Sequence, residues 1–400
     1  MKDINYIGIL STDNLKITNF MIKIKQLTQS LLWKAVILMK TSQSQFGTDG
    51  TKKNTSIMLK EILEQPKVVQ NLLEKCITAN DTVMLNLPLN IENIMISASG
   101  SSYNCAAIAA PLFREMLGIP CEYEYSSEFV LQKEFFIRKN SLYIFISQSG
   151  ETSDTLQAAK LIKNLGGKTL CITNAENSTL WNLCDYRILS DAGEERSIAS
   201  TKALCAQLLC MMFIILKIKF AKAENIDAEI RALKRLPAYL ERVLNNIDKI
   251  EIASYLISKY KNIVILGNKT YYPVAKEGAL KIKETSYLNV MAYPFGEFMH
   301  GHVAVLNQKS VVIAIIDEEN EISARRNIQK IKADYNPKII CITSVKDADL
   351  GDLNIYIKTG KKIKAIFGSL ITLQLIACKI AEILKKNPDR PKGLKKVVID

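Results

Sequence analysis

The sequence predicts an α/β protein made of two doubly wound parallel-sheet domains in tandem. Short apolar segments alternate with amphipathic ones, several apolar segments run directly into a Gly-containing turn, and the pattern restarts after a long helical stretch. Short, fully apolar strands that alternate with helices indicate a parallel sheet covered by helices on both faces. The length of 400 residues also exceeds what one typical core accommodates.

The first domain is predicted over residues 56–225. A helix at about 58–76 precedes an apolar strand at 94–98, which runs into Gly100 and a further helix through Ala110. A later helix, 154–165, ends at two glycines, a common helix stop because glycine adopts the left-handed conformation without strain. Further strands are predicted at 142–146, 168–173 and 186–190, with segment 121–125 before them.

The second domain is predicted over residues 259–400, including a C-terminal tail. Residues 226–258 belong to a helical stretch, about 203–258, that joins the two domains. In the second domain we expect a helix at 272–288 and strands at 263–267, 290–293, 311–316 and 338–343.

Residues 1–55 are interpreted as an N-terminal extension and linker. Their pattern is irregular, and they end in the polar stretch 41–54, which is typical of a linker. The sequence leaves open whether the preceding segment is an appended helix or an upstream part of the first domain.

Composition is ordinary for a globular protein, and its positive charge suits anionic metabolites as well as it suits nucleic acid. The formal net charge is +13, but the excess lysines are scattered singly, without an arginine-rich run or a nucleic-acid-binding motif. We therefore expect neither nucleic acid nor membrane as a partner. The longest apolar run near the N-terminus, residues 35–39, is too short to cross a bilayer and fits no signal peptide, so we predict the cytoplasm.

The nine cysteines are predicted to be free thiols. Most of them lie in apolar runs and none forms a Cys-x-x-Cys pair, which favours small buried side chains in a reducing compartment. With only two histidines in the chain and no paired cysteine spacing, a structural zinc site is not expected.

Two serine-rich turns are candidate phosphate sites. Residues 99–102 follow one predicted strand and residues 147–152 follow another, and ligands of parallel sheets bind at the carboxyl ends of strands. Glycine allows close approach of the backbone, and the Ser and Thr hydroxyls add donors. The alternative is that they are ordinary helix caps. A third polar turn, 192–202, is interpreted either as a capped helix start or as a loop that covers a bound sugar.

The candidates for acid–base chemistry lie in the second domain. Glu277, Lys281 and Glu284 are spaced to share one helix face, either as a solvated charge ladder or with a carboxylate directed into a cleft. A carboxylate in a cleft is suited to moving a proton between adjacent sugar carbons. His300 and His302 are the only histidines, and His300 is a candidate for opening a pyranose ring. The tail 388–400, with two prolines and a glycine, is predicted to be ordered and to bring a lysine over the site.

Several of these motifs together resemble the sugar isomerase (SIS) family over about residues 56–400. They are most similar to the isomerase half of glucosamine-6-phosphate synthase and to stand-alone SIS-type glucosamine-6-phosphate deaminases. This family has flavodoxin-like α/β domains. The motifs that carry the resemblance, in chain order, are Met58–Pro66, Ser147–Thr152, Ala199–Lys202, Glu277–Glu284 and Gly296–Gly301.

The resemblance implies a role for each matching residue. Glu284 matches the residue that moves the proton between C1 and C2, and Lys281 matches a lysine beside the reacting oxygens. His300 matches a ring-opening histidine that in the synthase comes from the neighbouring subunit, which implies a homodimer. Lys396 matches the tail lysine that meets the open-chain sugar. The implied substrate-binding residues are Ser101, Ser102, Ser147, Gln148, Ser149, Thr152 and Ser200.

The function expected from this resemblance is conversion of glucosamine 6-phosphate and water to fructose 6-phosphate and ammonia, without a metal or organic cofactor. The alternatives are a synthase isomerase half that lacks a glutaminase, a deglycase for amino-acid–sugar phosphates, and a non-catalytic sugar-phosphate sensor. The chain departs from the synthase at its start, where Lys2 follows Met1 instead of a cysteine, so it is not expected to make ammonia from glutamine. Met299, His302, Lys392 and Gly393 also depart from the synthase pattern, whereas the tail as a whole is nearer to the deaminases.

Overall fold

The computed structural model describes residues 55–132, 137–346 and 348–396. The predicted N-terminal extension therefore lies outside the described residues, apart from Thr55.

Two five-stranded sheets form the framework, and every pairing between strands is parallel. Their strand orders, β2-β1-β3-β4-β5 and β10-β9-β8-β6-β7, are the same order read from opposite ends. The predicted fold class, two doubly wound α/β domains in tandem, is thus confirmed. The strands are β1 (Asn93–Ala98), β2 (Cys121–Tyr125), β3 (Ser141–Ser147), β4 (Lys168–Thr173), β5 (Tyr186–Leu189), β6 (Asn262–Gly267), β7 (Val290–Pro294), β8 (Ser310–Ile316), β9 (Lys338–Thr343) and β10 (Leu353–Tyr356).

Helices cover both sheets and link them. In chain order they are α1 (Ile57–Leu63), α2 (Gln65–Cys76), α3 (Gly100–Leu117), α4 (Ser126–Leu131), α5 (Ser153–Asn164), α6 (Thr179–Leu183), α7 (Lys202–Ala221), α8 (Asp227–Lys234), α9 (Leu236–Leu244), α10 (Ile247–Ile257), α11 (Tyr271–Ser286), α12 (Phe295–Phe298), a 3-10 helix (His302–Val305), α13 (Glu321–Tyr335) and α14 (Lys362–Ile383).

The elements differ from the predicted ones in four places. The helix predicted at 58–76 is two helices, because Pro66 lies in the first turn of α2 and begins a new helix there. The long helical stretch consists of four helices, α7 to α10. Helix α3 continues past the predicted limit to Leu117, with Pro111 inside it. Strand β10 was not predicted, since its four residues give little pattern.

The two longest helices, α7 and α14, lie in the core. By length and hydropathy both are apolar enough to cross a membrane, but 83% of each apolar window is buried inside the protein. Helix α14 packs against α11, where the absence of a side chain at Gly278 permits the close approach. A Cβ atom at that position would lie 2.7 Å from Leu373 Cδ1. This contact fixes the position of α11, which carries Glu277, Lys281 and Glu284.

The neighbouring strands β1 and β3 mark the point where the strand order of the first sheet reverses, and β6 and β8 are their counterparts in the second sheet. In open parallel sheets, ligands bind in the crevice beyond the carboxyl ends of such a strand pair. The fold thus provides one such crevice in each domain.

Candidate active site

The turn after β3 has a fixed shape. Ser147 Oγ lies 2.9 Å from Thr152 Oγ1 and accepts a hydrogen bond from the Gly150 backbone N–H at 3.1 Å. Gly150 has φ +69°, and a Cβ there would lie 2.1 Å from Ser178 Oγ, so this position requires glycine. The Ser149 hydroxyl accepts from the Glu151 backbone N–H at 3.1 Å. Gln148 is half-buried beside it.

The turn after β1 leads into α3 through Gly100, which has φ +57°. The two serines that follow are half-buried, and they face different partners. Ser101 Oγ donates to Glu277 Oε1 at 3.0 Å, whereas Ser102 Oγ donates to Gln207 Oε1 at 3.1 Å. The first serine is therefore connected to α11 of the second domain.

A buried charge cluster joins the two domains at this point. Lys281 Nζ lies 2.6 Å from Glu284 Oε2 and 3.5 Å from Glu277 Oε1, and it donates to Ser101 Oγ at 2.9 Å. Asn104 Nδ2 donates to the other oxygen of Glu277 at 2.7 Å. The predicted helix face is therefore a packed cluster rather than a solvated charge ladder.

The electrostatics of the cluster distinguish its two carboxylates. Burial raises the pKa of Glu277, although Lys281 and Asn104 act in the opposite direction. Burial disfavours the charged form of Lys281, but the two carboxylates outweigh it and raise the pKa of that ammonium. The side chains of Glu277 and Lys281 are each 1% exposed, whereas that of Glu284 is 21% exposed. Glu284 is thus the carboxylate of this cluster that a substrate can reach.

The C-terminal tail contacts the loop that contains Ser200, as predicted for an ordered tail. Lys396 Nζ donates to Glu195 Oε2 at 2.6 Å and to the Ser197 carbonyl oxygen at 2.8 Å. Glu195 also accepts from the backbone N–H groups of Thr201 and Ala203, at 2.8 and 3.1 Å, so its carboxylate caps α7. Burial alone would raise the pKa of Glu195, but Lys396 and these N–H groups lower it.

A second buried carboxylate supports the same loop, and it was missed in the sequence. Glu61 of α1 is 3% exposed and accepts hydrogen bonds from the backbone N–H of Arg196 and from both the N–H and the hydroxyl of Ser197. Asp389 accepts from the N–H groups of Ile57 and Met58, at 3.0 and 2.8 Å, and so caps the helix that carries Glu61. The only sequence signal for Glu61 was its place within the motif Met58–Pro66.

His300 lies apart from these hydrogen bonds. It is exposed in the turn after α12, where its backbone N–H donates to the Glu297 carbonyl at 3.0 Å. Its imidazole forms no hydrogen bond or ion pair with any residue that the structure describes. His302 is positioned by its ring, which stacks on Tyr293 at a centroid distance of 4.3 Å.

The next feature is the state of the cysteines and of the side chains that could bind a metal. All nine cysteines are free; eight are buried and Cys76 is partly buried. Within residues 55–132, 137–346 and 348–396, no group of three or more His, Cys, Asp or Glu side chains is arranged to hold a metal ion.

Comparison with protein families matches the SIS domain twice, at residues 89–217 and 256–383. These two segments contain the two sheets, and the chain therefore belongs to the SIS-domain family.

Among curated proteins, the chain is similar to the isomerizing glutamine–fructose-6-phosphate aminotransferases. It is 33% identical over 360 residues to that of Escherichia coli strain K12, and 33% identical over 349 residues to that of Campylobacter jejuni. Each alignment covers 85% of this chain but 58% of the relative, so the chain spans little more than half of their length.

Solved structures agree with this assignment. The C-terminal domain of glucosamine-fructose-6-phosphate aminotransferase from Francisella tularensis matches with a TM-score of 0.79 and 29% identity, covering 84% of this chain and 99% of that one. Glucosamine-6-phosphate deaminase from Thermotoga maritima has the same fold, with a TM-score of 0.70, 21% identity, and coverage of 86% of this chain and 99% of that one.

Proposed function

We propose that this protein is a deaminating aldose–ketose isomerase that converts glucosamine 6-phosphate and water to fructose 6-phosphate and ammonia. The observation that carries this proposal is the contact of the accessible Glu284 carboxylate with the buried Lys281 ammonium, which also contacts Ser101 of the turn after β1. An acid–base group and a fixed positive charge thus adjoin a hydroxyl-rich turn at a strand-end crevice.

The phosphate of the substrate binds at the turns after β1 and β3. A phosphate monoester carries about −1.5 to −2 charges near neutral pH and accepts several hydrogen bonds. Backbone N–H groups and the hydroxyls of Ser147, Ser149 and Thr152 supply donors, and the N-termini of α3 and α5 favour negative charge. Ser101, Ser102 and Gln148 complete this set, and Ser200 contacts the sugar from the opposite loop.

The chemical step is a proton transfer between adjacent carbons. In the open-chain sugar, Glu284 removes the proton from C2 and returns it to C1, while the C1 oxygen gains a proton and the amine nitrogen loses one. The double bond that results joins C2 to nitrogen. Lys281 stabilises the negative charge that develops on the oxygen, because a fixed ammonium in a dry site needs no reorganisation. Water then adds to C2 and ammonia leaves, which yields the ketone.

The remaining residues open the ring and enclose the substrate. We assign ring opening to His300, by proton transfer at the ring oxygen and O1. In the homodimer that we propose, His300 of one subunit acts in the active site of the other. Lys396, held by Glu195 and Ser197, meets the open-chain sugar. Nine unpaired cysteines are compatible with a reducing compartment, which supports a cytoplasmic location.

The test is ammonia release from glucosamine 6-phosphate by the purified chain and by Glu284→Gln. This substitution keeps the size of the side chain but removes the base, and we expect turnover to fall by about 10²–10⁴-fold. The exposed Glu176→Gln is the matched control and is expected to retain activity. Unchanged turnover by Glu284→Gln would contradict the proton-transfer assignment.

The synthetic direction is the second candidate, because the relatives at 33% identity are named aminotransferases, whereas the likeness to a deaminase structure extends only to the fold. In that case fructose 6-phosphate is aminated with ammonia from a source outside the two SIS domains. The synthetic direction would be favoured if the protein forms glucosamine 6-phosphate from fructose 6-phosphate and ammonium faster than it catalyses the reverse reaction at equal concentrations. Ammonia-free cleavage of an amino-acid–fructose phosphate would identify a deglycase, and binding without turnover of any of these would identify a sensor.

A further inference from the structure

The second domain has its own polar cavity at the carboxyl ends of β6 and β8. Its volume is about 240 Å³, and it is lined by Asn268–Tyr271, by Asp317, Glu319, Asn320 and Ser323, and by Lys362 at the start of α14. Because β6 and β8 are the counterparts of β1 and β3, this cavity occupies the same place in its sheet as the serine turns do in theirs. We call it the second-domain cavity.

The chemistry of this cavity is unlike that of the serine turns. Strand β8 is followed by Asp317, Glu318 and Glu319, at the place where β3 is followed by the serine turn. The cationic side chains at its rim are already paired: Lys362 Nζ lies 2.7 Å from Glu115 and 3.3 Å from Glu319, and Lys269 Nζ lies 3.8 Å from Glu319. The carboxylates repel a phosphate, so the cavity does not suit a sugar phosphate.

Asp317 is available to a cation. It is 5% exposed, and its Oδ1 accepts from the Asn320 backbone N–H at 3.0 Å. Burial raises its pKa, which the hydrogen bond from the Asn320 backbone N–H opposes. Within the described part of the chain, Asp317 forms no ion pair, in contrast to Glu319. A buried carboxylate without an ion-pair partner is stabilised by a ligand that brings a positive charge next to it.

Thr270 gives an independent indication of a ligand. This residue lines the cavity and is 1% exposed, and its Oγ1 has no hydrogen-bond partner among the described residues. A buried hydroxyl is normally hydrogen-bonded, because leaving it unpaired loses its hydration without compensation. A ligand hydroxyl in the cavity would satisfy it.

We propose that the second-domain cavity binds a small hydroxylated amine without a phosphate, of the size of a free 2-amino-2-deoxyhexose. The ammonium group pairs with Asp317 and a hydroxyl group meets Thr270. A cavity of this volume lies below the range of about 300–1,000 Å³ typical for drug-sized ligands, which agrees with a ligand of monosaccharide size. This site is separate from the one in the proposed function and does not depend on it.

The test is calorimetric titration of the full chain with glucosamine, and with glucose as the probe that keeps the hydroxyls but lacks the amine. We expect glucosamine to bind at least about tenfold more tightly than glucose, since a hydrogen bond to a charged partner is the stronger kind. Asp317→Asn should weaken glucosamine binding by about tenfold or more, and Thr270→Val by less. Asp334→Asn, the same change at an exposed position of α13, should leave binding unchanged.

One further measurement and one further variant separate loss of binding from loss of folding. Thermal unfolding of each variant verifies that it is folded, and Thr270→Val tests the same cavity if Asp317→Asn does not fold. Equal affinity for glucose and glucosamine overturns the proposal, as does unchanged binding by Asp317→Asn. Glucosamine binding that is lost in Ser147→Ala but kept in Asp317→Asn also overturns it, because the sugar would then bind at the serine turns.

Discussion

Glu284 owes its properties to three neighbours on two helices. Lys281 is its direct partner, and the ammonium group of Lys281 also contacts Glu277 and Ser101. Glu277 and Asn104 are buried, and of the two carboxylates in the cluster it is Glu284 that is accessible. This asymmetry separates Glu284, the carboxylate that we propose as the base, from Glu277, which contacts the lysine in the interior.

Glu195 gives a prediction about acid stability. Its pKa is lowered below the ordinary value of 4.5, so its contribution to folding is present above that value and is lost as pH falls through the lowered pKa. Replacing it by Gln removes a buried partner of Lys396. We expect Glu195→Gln to lower the free energy of unfolding by about 3–5 kcal/mol near neutral pH, and the difference from wild type to shrink on acidification.

Urea unfolding at a series of pH values measures this difference. Glu176→Gln, the same substitution at an exposed glutamate, serves as the control. A difference that grows as the pH falls would contradict the assigned direction of the pKa shift.

The turn between β3 and α5 is rigid because its hydrogen bonds are internal and its glycine is enclosed. Ser147 holds both Gly150 and Thr152, and Ser178 occupies the space that a side chain at Gly150 would need. The donors that we propose to bind the phosphate are therefore already in place, so binding would lose less conformational entropy.

Gly150→Ala is predicted to damage this turn selectively. The φ of +69° costs an alanine about 1–2 kcal/mol. The contact with Ser178 additionally forces the turn to shift, so we expect KM for the sugar phosphate to rise by about tenfold or more. Gly166→Ala is the control, since Gly166 also has a positive φ, of +78°, but a Cβ there meets nothing within 4 Å.

Steady-state kinetics and thermal unfolding of both variants distinguish the two effects. Both should lose stability, whereas only Gly150→Ala should lose affinity for substrate. An equal KM in the two variants would show that the turn tolerates the shift.

For the molecule as a whole, the assignment of His300 to the site of a neighbouring subunit predicts how a mixture of two inactive variants behaves. His300→Asn and Glu284→Gln should each be inactive alone. In a dimer that combines one chain of each kind, one of the two sites contains both native residues. Random association should then restore about a quarter of the wild-type activity.

Co-expression of the two variants, without separation of the species, measures this recovery. Isolation of the mixed dimer through different affinity tags should then give about half of the wild-type activity. Mixing either variant with itself provides the control. Mixed dimers without activity would contradict a site shared between subunits.

The fold class was predictable from local patterns, because a buried parallel strand needs a run of apolar residues wherever it occurs. Strand β10 escaped prediction, since it has four residues and includes Asn354. Candidate site residues could be recognised where they follow a strand end or a helix period, as Ser147 and Glu284 do, and their roles stay predictions. The burial of Glu61 and the contact of Glu195 with Lys396 could not be recognised, because Ser197 and Lys396 lie far away in the sequence and nothing local marks a glutamate as buried.

The hydrogen bonds of Asp389 and Lys396 have a consequence for the order of assembly. Asp389 caps α1 from 331 residues further along the chain, and Lys396 meets Ser197 from 199 residues further along. During synthesis the first sheet can form long before these partners exist, since domains fold as they emerge. The loop that contains Ser197 therefore gains its contact with Lys396 only after residue 396 has left the ribosome, so the first sheet can be folded before this loop has its final contacts.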